Sequence, residues 1–273
     1  MRWSSRQQAM LQTMGLRLWS RAASTSSKTP APTPAPTPAP TVTAVAAAAA
    51  APAARREAPP PAPAADARAA SIEHLDWPAL REAVAACQAC ELHRTRRQPV
   101  FGVGHERAHW MVVGEAPGEQ EDLQGEPFVG AAGELLERML AALALRRAVQ
   151  GPEPEAQRVF IANTLKCRPP RNRNPQPEEL QACEPFLVRQ IALLQPRVIL
   201  AMGRFAIQSL LQSGEPVGKL RGRVHRYRGV PLVVTYHPAY LLRNPADKAR
   251  AWDDLCLAAQ VAQQAVQQVA ADR

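Results

Sequence analysis

The sequence predicts an α/β fold: a three-layer αβα sandwich around a central four-stranded parallel sheet. Three observations carry this reading. Four short, nearly continuous apolar runs stand at 109–114 (HWMVVG), 158–163 (RVFIAN), 197–202 (RVILAM) and 231–236 (PLVVTY). Strands covered on both faces read this way, rich in β-branched residues and bounded by turns. Helical segments lie between them, at 131–147, 177–194 and 203–213, with a first helix near 77–92 and a last near 246–270. Strand–helix alternation implies parallel strands joined by crossovers, and polar residues that follow such strands gather at one sheet edge.

Taken in order, the first run ends at Gly114 and breaks into a loop carrying Glu115, Glu119, Glu121 and Asp122, on a chain of net charge +9. The second ends at Asn163 and leads into the basic stretch RPPRNR, 168–173. The helix after it opens on Asn174-Pro-Gln-Pro-Glu-Glu, with Pro177 in the first turn and Glu178 and Glu179 at the positive end of the dipole. The fourth run is followed by HPAYLLRNP, 237–245. An acid before a helix, an Asn after a strand and a His before Pro each have an ordinary reading as cap or turn former. Their convergence on one rim points to a site.

Composition divides the chain. Residues 22–70 are mostly Ala, Pro, Thr and Ser. Such a segment buries too little apolar area to offset its ordering entropy and is expected as a disordered linker. It would join an amphipathic segment, 1–21, to a globular domain, 71–273. No stretch of 18 consecutive apolar residues occurs, so no membrane association is expected. Residues 1–70 carry 8 of the 33 basic residues but only 2 of the 24 acidic ones, which leaves the domain only mildly basic. A nucleic-acid surface would have to be local, at 168–173 or at KLRGRVHRYR, 219–228.

Cys87, Cys90, Cys167 and Cys183 are spaced C-x2-C, then 76 residues, then C-x15-C. Four thiolates suit a [4Fe–4S] cluster or a structural zinc ion. Spacing alone leans to zinc, although zinc ribbons usually pair two C-x-x-C knuckles. Cys256 falls on the apolar face of the last helix and reads as core.

The stretches GEAPGEQED, GEPFVGAAGELL, NTLKCRPPRNRNP and HPAYLLRNP, with four cysteines around them, resemble the family 4 uracil-DNA glycosylases, the iron–sulfur type. The resemblance covers roughly 72–265 and rests on four motifs in the family's order. It implies the uracil-DNA glycosylase fold, Cys87, Cys90, Cys167 and Cys183 as ligands of a [4Fe–4S] cluster, and uracil-containing DNA, single- or double-stranded, as substrate. A flipped base would enter a pocket. The backbone at Gly114 and Ala116 would approach it, Phe128 would stack on it, and Asn163 would read its O4 and N3–H edge. His237 would stabilise the departing anion at O2. Glu115 would position water and support the cationic sugar. In the distantly related family 1 the first motif reads GQDPY, so its Asp aligns with Ala116 and its Tyr with Gly118. Exclusion of thymine's methyl then falls to Glu121. Arg168, Arg171, Arg173 and Arg243 would meet phosphates. Two alternatives keep the same fold and cluster: a catalytically impaired binding protein, and a covalent-trapping relative. The second carries a KRRIH-like loop where this chain has KCRPPRNRNP.

Residues 6–21, RQQAMLQTMGLRLWSR, carry an apolar stripe and no acid. They resemble the N-terminal peptide of the psi subunit of bacterial DNA polymerase III, which docks on the clamp loader, and a replication partner is expected there. The other readings are a mitochondrial presequence or an unstructured leader. A monomer in the bacterial cytoplasm is the expectation.

Overall fold

The computed structural model describes residues 63–271, so the expectations for the 1–21 segment and for most of the 22–70 linker lie outside the described residues. Six strands form one sheet: β1 (Val103–Gly104), β2 (Trp110–Gly114), β3 (Val159–Asn163), β4 (Val198–Met202), β5 (Val224–Tyr227) and β6 (Val230–Thr235). Their spatial order is β1-β3-β2-β4-β6-β5. The inner four, β3-β2-β4-β6, are parallel, as the sequence predicts. The expected four-stranded sheet is extended by an antiparallel strand at each edge. β1 is two residues long, too short for a periodic signal. β5 pairs with β6 through a tight turn at Arg228 and Gly229, both at positive φ.

The helices are α1 (Pro63–Glu73), α2 (Trp77–Ala85), α3 (Glu119–Gln124), α4 (Ala131–Ala142), α5 (Pro177–Leu194), α6 (Arg204–Leu211), α7 (Val217–Leu220), α8 (Pro238–Arg243) and α9 (Lys248–Ala271). Strand residues alternate between two cores. On one face Met111, Val113, Phe160, Ile199 and Val234 meet Leu80 and Val84 of α2, Phe186 and Ile191 of α5, and Ile207 of α6. On the other, Val112, Ile161, Leu200 and Val233 meet Leu136 and Met139 of α4 and Trp252 and Leu255 of α9. Every residue of β2, β3 and β4 is buried, which is why these strands read as continuous apolar runs.

α1 takes in residues 63–70, which composition alone gives to the linker. Ile72 is buried, Arg68 donates to the Ala182 carbonyl at 2.7 Å, and its guanidinium sits 4.8 Å from the Phe186 ring. Two anchoring side chains are enough to fix an alanine-rich helix that carries almost no amphipathic signal. Among the described residues no helix is long and apolar enough to cross a membrane.

Candidate active site

The carboxyl ends of the parallel strands deliver the predicted residues to one pocket of about 190 Å³. Glu115, Ala116 and Gly118 come from the loop after β2, Phe128 from the turn before α4, Asn163 from the end of β3, and His237 from the start of α8. Gly114 does not itself line the pocket but lies directly behind Asn163 and Phe128, which do. It is the register partner of Asn163, and a Cβ on it would lie 2.5 Å from Asn163 Oδ1 and 2.6 Å from the Phe128 ring. Asn163 is 2% exposed, and its Oδ1 is buried without a hydrogen-bond partner. A buried acceptor left unpaired is costly, so the site calls for a ligand N–H there.

Phe128 holds a strained φ of 56°. Arg147 fastens its turn, donating to the carbonyls of Pro127 at 2.7 Å and Phe128 at 3.0 Å and pairing with Glu137 at 2.6 Å. Gly133 completes the fit, since a Cβ there would strike the Phe128 carbonyl at 1.9 Å. The Phe128 ring stacks on His237, centroids 5.4 Å apart and planes at 27°.

His237 caps α8 by accepting the Ala239 N–H at Nδ1, 3.2 Å. The proton of the neutral ring is therefore on Nε2. Burial, reinforced by Arg243 and opposed by Glu121, pushes its pKa down to about 4. His237 is thus a neutral donor at physiological pH.

The four carboxylates of the loop have separate surroundings. Glu115 lines the pocket, and burial raises its pKa while Arg204, at the start of α6, pulls it back. Glu121 accepts three backbone N–H groups, from Gly118 at 3.0 Å, Val129 at 3.0 Å and Gly130 at 3.2 Å. It is the buckle between the two loops. Asp122 is buried and accepts the Arg97 N–H at 3.0 Å. Glu119 pairs with Arg168 at 3.5 Å.

The expected phosphate contacts differ among themselves. Arg171 and Arg243 are exposed. Arg168 is shared between Glu119 and Asn172, which accepts from its Nε at 2.7 Å. Arg173 lines the pocket rim but is held by Glu179 through two contacts, at 2.9 and 2.5 Å. That pairing holds the Glu179 carboxyl below its ordinary pKa.

Cys87, Cys90, Cys167 and Cys183 line one small cavity together with His93, Arg96 and Lys166. Three N–H donors point at the sulfurs: Arg68 to Cys87 at 3.4 Å, Arg96 to Cys167 at 3.1 Å and the Lys166 backbone to Cys183 at 3.2 Å. Burial raises the thiols of Cys90, Cys167 and Cys183, the last to about 12, so thiolates here need a positive centre as well as these donors. Among the described residues no group of three or more His, Cys, Asp or Glu is gathered closely enough for a single ion. One zinc would draw all four sulfurs to about 2.3 Å from a point. Four sulfurs around one cavity are the donor set of a thiolate-ligated centre. Cys256 lies elsewhere, packed against the other core.

Sequence reasoning missed Arg204, Arg147, Arg68 and Arg96. Only Arg204 had a signal, because it follows an apolar strand at the same sheet edge as the other site residues.

Residues 101–256 match the family model of the uracil DNA glycosylase superfamily. The chain is 44% identical over 170 residues to a type-4 uracil-DNA glycosylase of Archaeoglobus fulgidus, covering 59% of this chain and 81% of that one. It is 41% identical to a type-4 uracil-DNA glycosylase of Pyrobaculum aerophilum (67% of this chain, 93% of that one) and 42% identical to one of Thermotoga maritima (62% and 84%). With one family's model over the sheet and its site, and type-4 relatives matched over most of their length, the chain belongs to the uracil DNA glycosylase superfamily, on its type-4 branch.

Proposed function

We propose that this protein is a uracil-DNA glycosylase: it takes a flipped uracil into the pocket and hydrolyses its N-glycosidic bond, leaving an abasic site for base excision repair. The observation that carries the reading is the buried, unpartnered Oδ1 of Asn163 on the pocket floor. Uracil presents an N3–H to that acceptor and a C4 carbonyl to the same amide's N–H. Cytosine presents a bare N3 and an amine, and would leave both groups of Asn163 unpaired.

Phe128 is the stacking surface. As the glycosidic bond breaks, its electron pair goes to the base, and the neutral Nε2–H of His237 donates to the oxygen that gains charge. The backbone of Gly114 and Ala116 borders the same ring. Glu115, in its ionised form, orients the water that adds to the sugar carbon and faces the positive charge that develops there. Glu121 excludes thymine's methyl through the wall it ties together. Arg171 and Arg243 meet phosphates directly. Arg168 and Arg173 do so in competition with Glu119 and Glu179.

Cys87, Cys90, Cys167 and Cys183 hold a [4Fe–4S] cluster in this reading, whose contribution is a cross-link between the loop after α2 and the segment that follows Asn163. Residues 6–21, which lie outside the described residues, would tether the domain to a clamp-loader partner. Anisotropy titration of a 1–25 peptide, with Trp19→Ala as control, tests that part.

The experiment for the main proposal is incubation of the purified protein with a uracil-containing oligonucleotide, followed by alkaline cleavage at abasic sites. Cleavage at uracil and not at cytosine or thymine is expected, with a large loss in Asn163→Asp. An uncut strand would overturn the reading.

A further inference from the structure

Lys166 is 1% exposed, one residue before a cysteine and three after Asn163. Its ammonium makes two short hydrogen bonds, to the Asn163 main-chain carbonyl at 2.8 Å and to Gln190 Oε1 at 2.7 Å. Gln190, fully buried on α5, passes the connection on by donating to the Phe101 carbonyl at 2.9 Å. On the other side Lys166 lines the cysteine cavity, and its main-chain N–H donates to Cys183 Sγ at 3.2 Å. An ammonium taken wholly out of water is costly unless opposite charge and hydrogen bonds compensate it. The hydrogen-bonding compensation here comes from two acceptors: the Gln190 amide oxygen, and the carbonyl of the residue that reads the base.

Asn163 needs such a hold. Its Oδ1 has no protein partner, so the aim of the amide is set by its backbone. On one side that backbone is laced to the loop after β2. Thr164 N–H donates to the Gly114 carbonyl at 3.0 Å, and Leu165 N–H and the Thr164 hydroxyl donate to the Glu115 carbonyl at 3.1 and 2.5 Å. On the other side the fastening is Lys166.

We propose that Lys166 is a positioning residue: its side-chain nitrogen fixes the Asn163 backbone against the base pocket, while its main-chain N–H is seated on Cys183 of the cysteine centre. The proposal rests on the glycosylase reading above and adds to it a physical link between the centre and base recognition. Lys166 touches neither base nor sugar and acts through Asn163.

The test is a double-mutant cycle on the full chain, using Lys166→Met, Asn163→Ala and the pair. It reads the single-turnover excision rate on saturating uracil-containing oligonucleotide, the dissociation constant for free uracil, and iron per chain. Lys166→Met is expected to slow excision by about 10–10²-fold, since misplacing a reacting or recognising group by an ångström has effects of that order. It should weaken uracil binding by about tenfold while the KM for DNA stays within twofold. In the Asn163→Ala background the same substitution should change the rate by less than twofold, because the residue it acts through is gone. A full-sized loss in that background, or wild-type rate and uracil affinity in Lys166→Met, overturns the proposal. If Lys166→Met does not fold or carries no iron, Gln190→Leu replaces it in the cycle, with a smaller loss and the same non-additivity expected; additivity there overturns the proposal equally. Failure of the glycosylase reading is distinguishable, because it would appear as a wild-type protein that neither excises nor binds uracil.

Discussion

Gly114 and Asn163 face each other across the parallel register of β2 and β3, and a methyl group on Gly114 would stand 2.5 Å from the Asn163 amide oxygen. The glycine keeps open the space in which the amide and the Phe128 ring meet a base. It does so without an unusual backbone, since Gly114 is not among the glycines at positive φ. Gly114→Ala is therefore expected to fold, with a normal circular dichroism spectrum. It should lose about 10²-fold or more in single-turnover excision as Asn163 or Phe128 is pushed aside. Excision within threefold of wild type would show that Gly114 does not set the position of Asn163 and Phe128.

His237 carries a pH signature. Its folded pKa is about 4, below the ordinary histidine value. Between these two values the unfolded chain binds a proton that the folded chain does not, so stability rises with pH across that window and falls as pH drops from about 6.5 to about 4. His237→Gln removes the term. Urea unfolding midpoints measured from pH 7 down to pH 4 should fall less steeply for the variant than for wild type. Equal slopes would mean that His237 is not buried as neutral imidazole. At neutral pH the same variant should lose roughly 10²–10³-fold in excision rate, the usual consequence of removing one donor to a developing anion.

Glu115 shifts in the opposite direction. Burial raises its pKa above the ordinary carboxylate value, with Arg204 limiting the rise. The folded state therefore holds this proton at pH values where the unfolded chain has released it, and ionisation of Glu115 opposes stability as pH rises through its folded pKa. Its ionised form is the one that positions water. Excision should accordingly climb with pH along a single acid limb centred above pH 4.5. Glu115→Gln should be slow at every pH with that limb absent, and Arg204→Ala should move the limb to higher pH. An unchanged limb in Glu115→Gln would assign it to another group.

The parallel centre of the sheet was legible because β2, β3, β4 and β6 are buried on both faces or nearly so, and continuous apolar runs record that burial directly. The helix start at Pro177 was legible for a local reason, a proline and two acids in the first turn. Glu115, Asn163 and His237 could be read as one site since each follows a strand at the same edge. The edge strands were not legible. β1 has two residues, and β5 alternates exposed and half-buried positions within an arginine-rich stretch that reads as a basic patch. α1 was hidden by its composition, since an Ala- and Pro-rich segment becomes a helix here through Arg68 and Ile72. Arg147 acts on main-chain carbonyls, and Lys166 on the Gln190 amide, that only the fold brings close, a kind of partnership that leaves no pattern in sequence.

Arg147 supplies the next prediction. It donates to the carbonyls of Pro127 and Phe128 and is itself held by Glu137. Phe128 sits at positive φ, a conformation that costs on the order of 1–3 kcal/mol for a non-glycine residue and persists only when its surroundings enforce it. Arg147→Ala should release the turn. Free-uracil affinity is expected to fall by about tenfold, while affinity for an abasic oligonucleotide changes less than twofold. Arg147→Lys should restore only part of the loss, because one ammonium cannot reproduce the guanidinium's two parallel donors. Unaltered uracil binding in Arg147→Ala would place the control of Phe128 with Gly133 alone.

The cysteine centre gives the last prediction. Cys183 and Cys167 are buried and Cys87 and Cys90 half-buried, and burial raises the thiols of Cys90, Cys167 and Cys183. Arg68 and Arg96 donate to the sulfurs of Cys87 and Cys167, and Lys166 lines the same cavity. A metal centre would convert the raised thiols to thiolates, and its assembly must release protons. Purified protein should therefore be brown, with about four irons per chain. Removing the iron with a chelator should lower the melting temperature markedly and expose the hydrophobic face between α2 and α5. Cys167→Ala should reproduce that loss. Cys256→Ala, on the other face of the sheet, should leave iron content and melting temperature unchanged. Arg96→Ala separates the charge argument from simple ligation: it keeps all four sulfurs but removes the 3.1 Å donor to Cys167. Iron should still bind in that variant, and chelation or oxidation should strip it faster than from wild type. Colourless protein holding one zinc per chain would refute the cluster, and an Arg96→Ala variant as resistant to stripping as wild type would refute the role given to the surrounding cations.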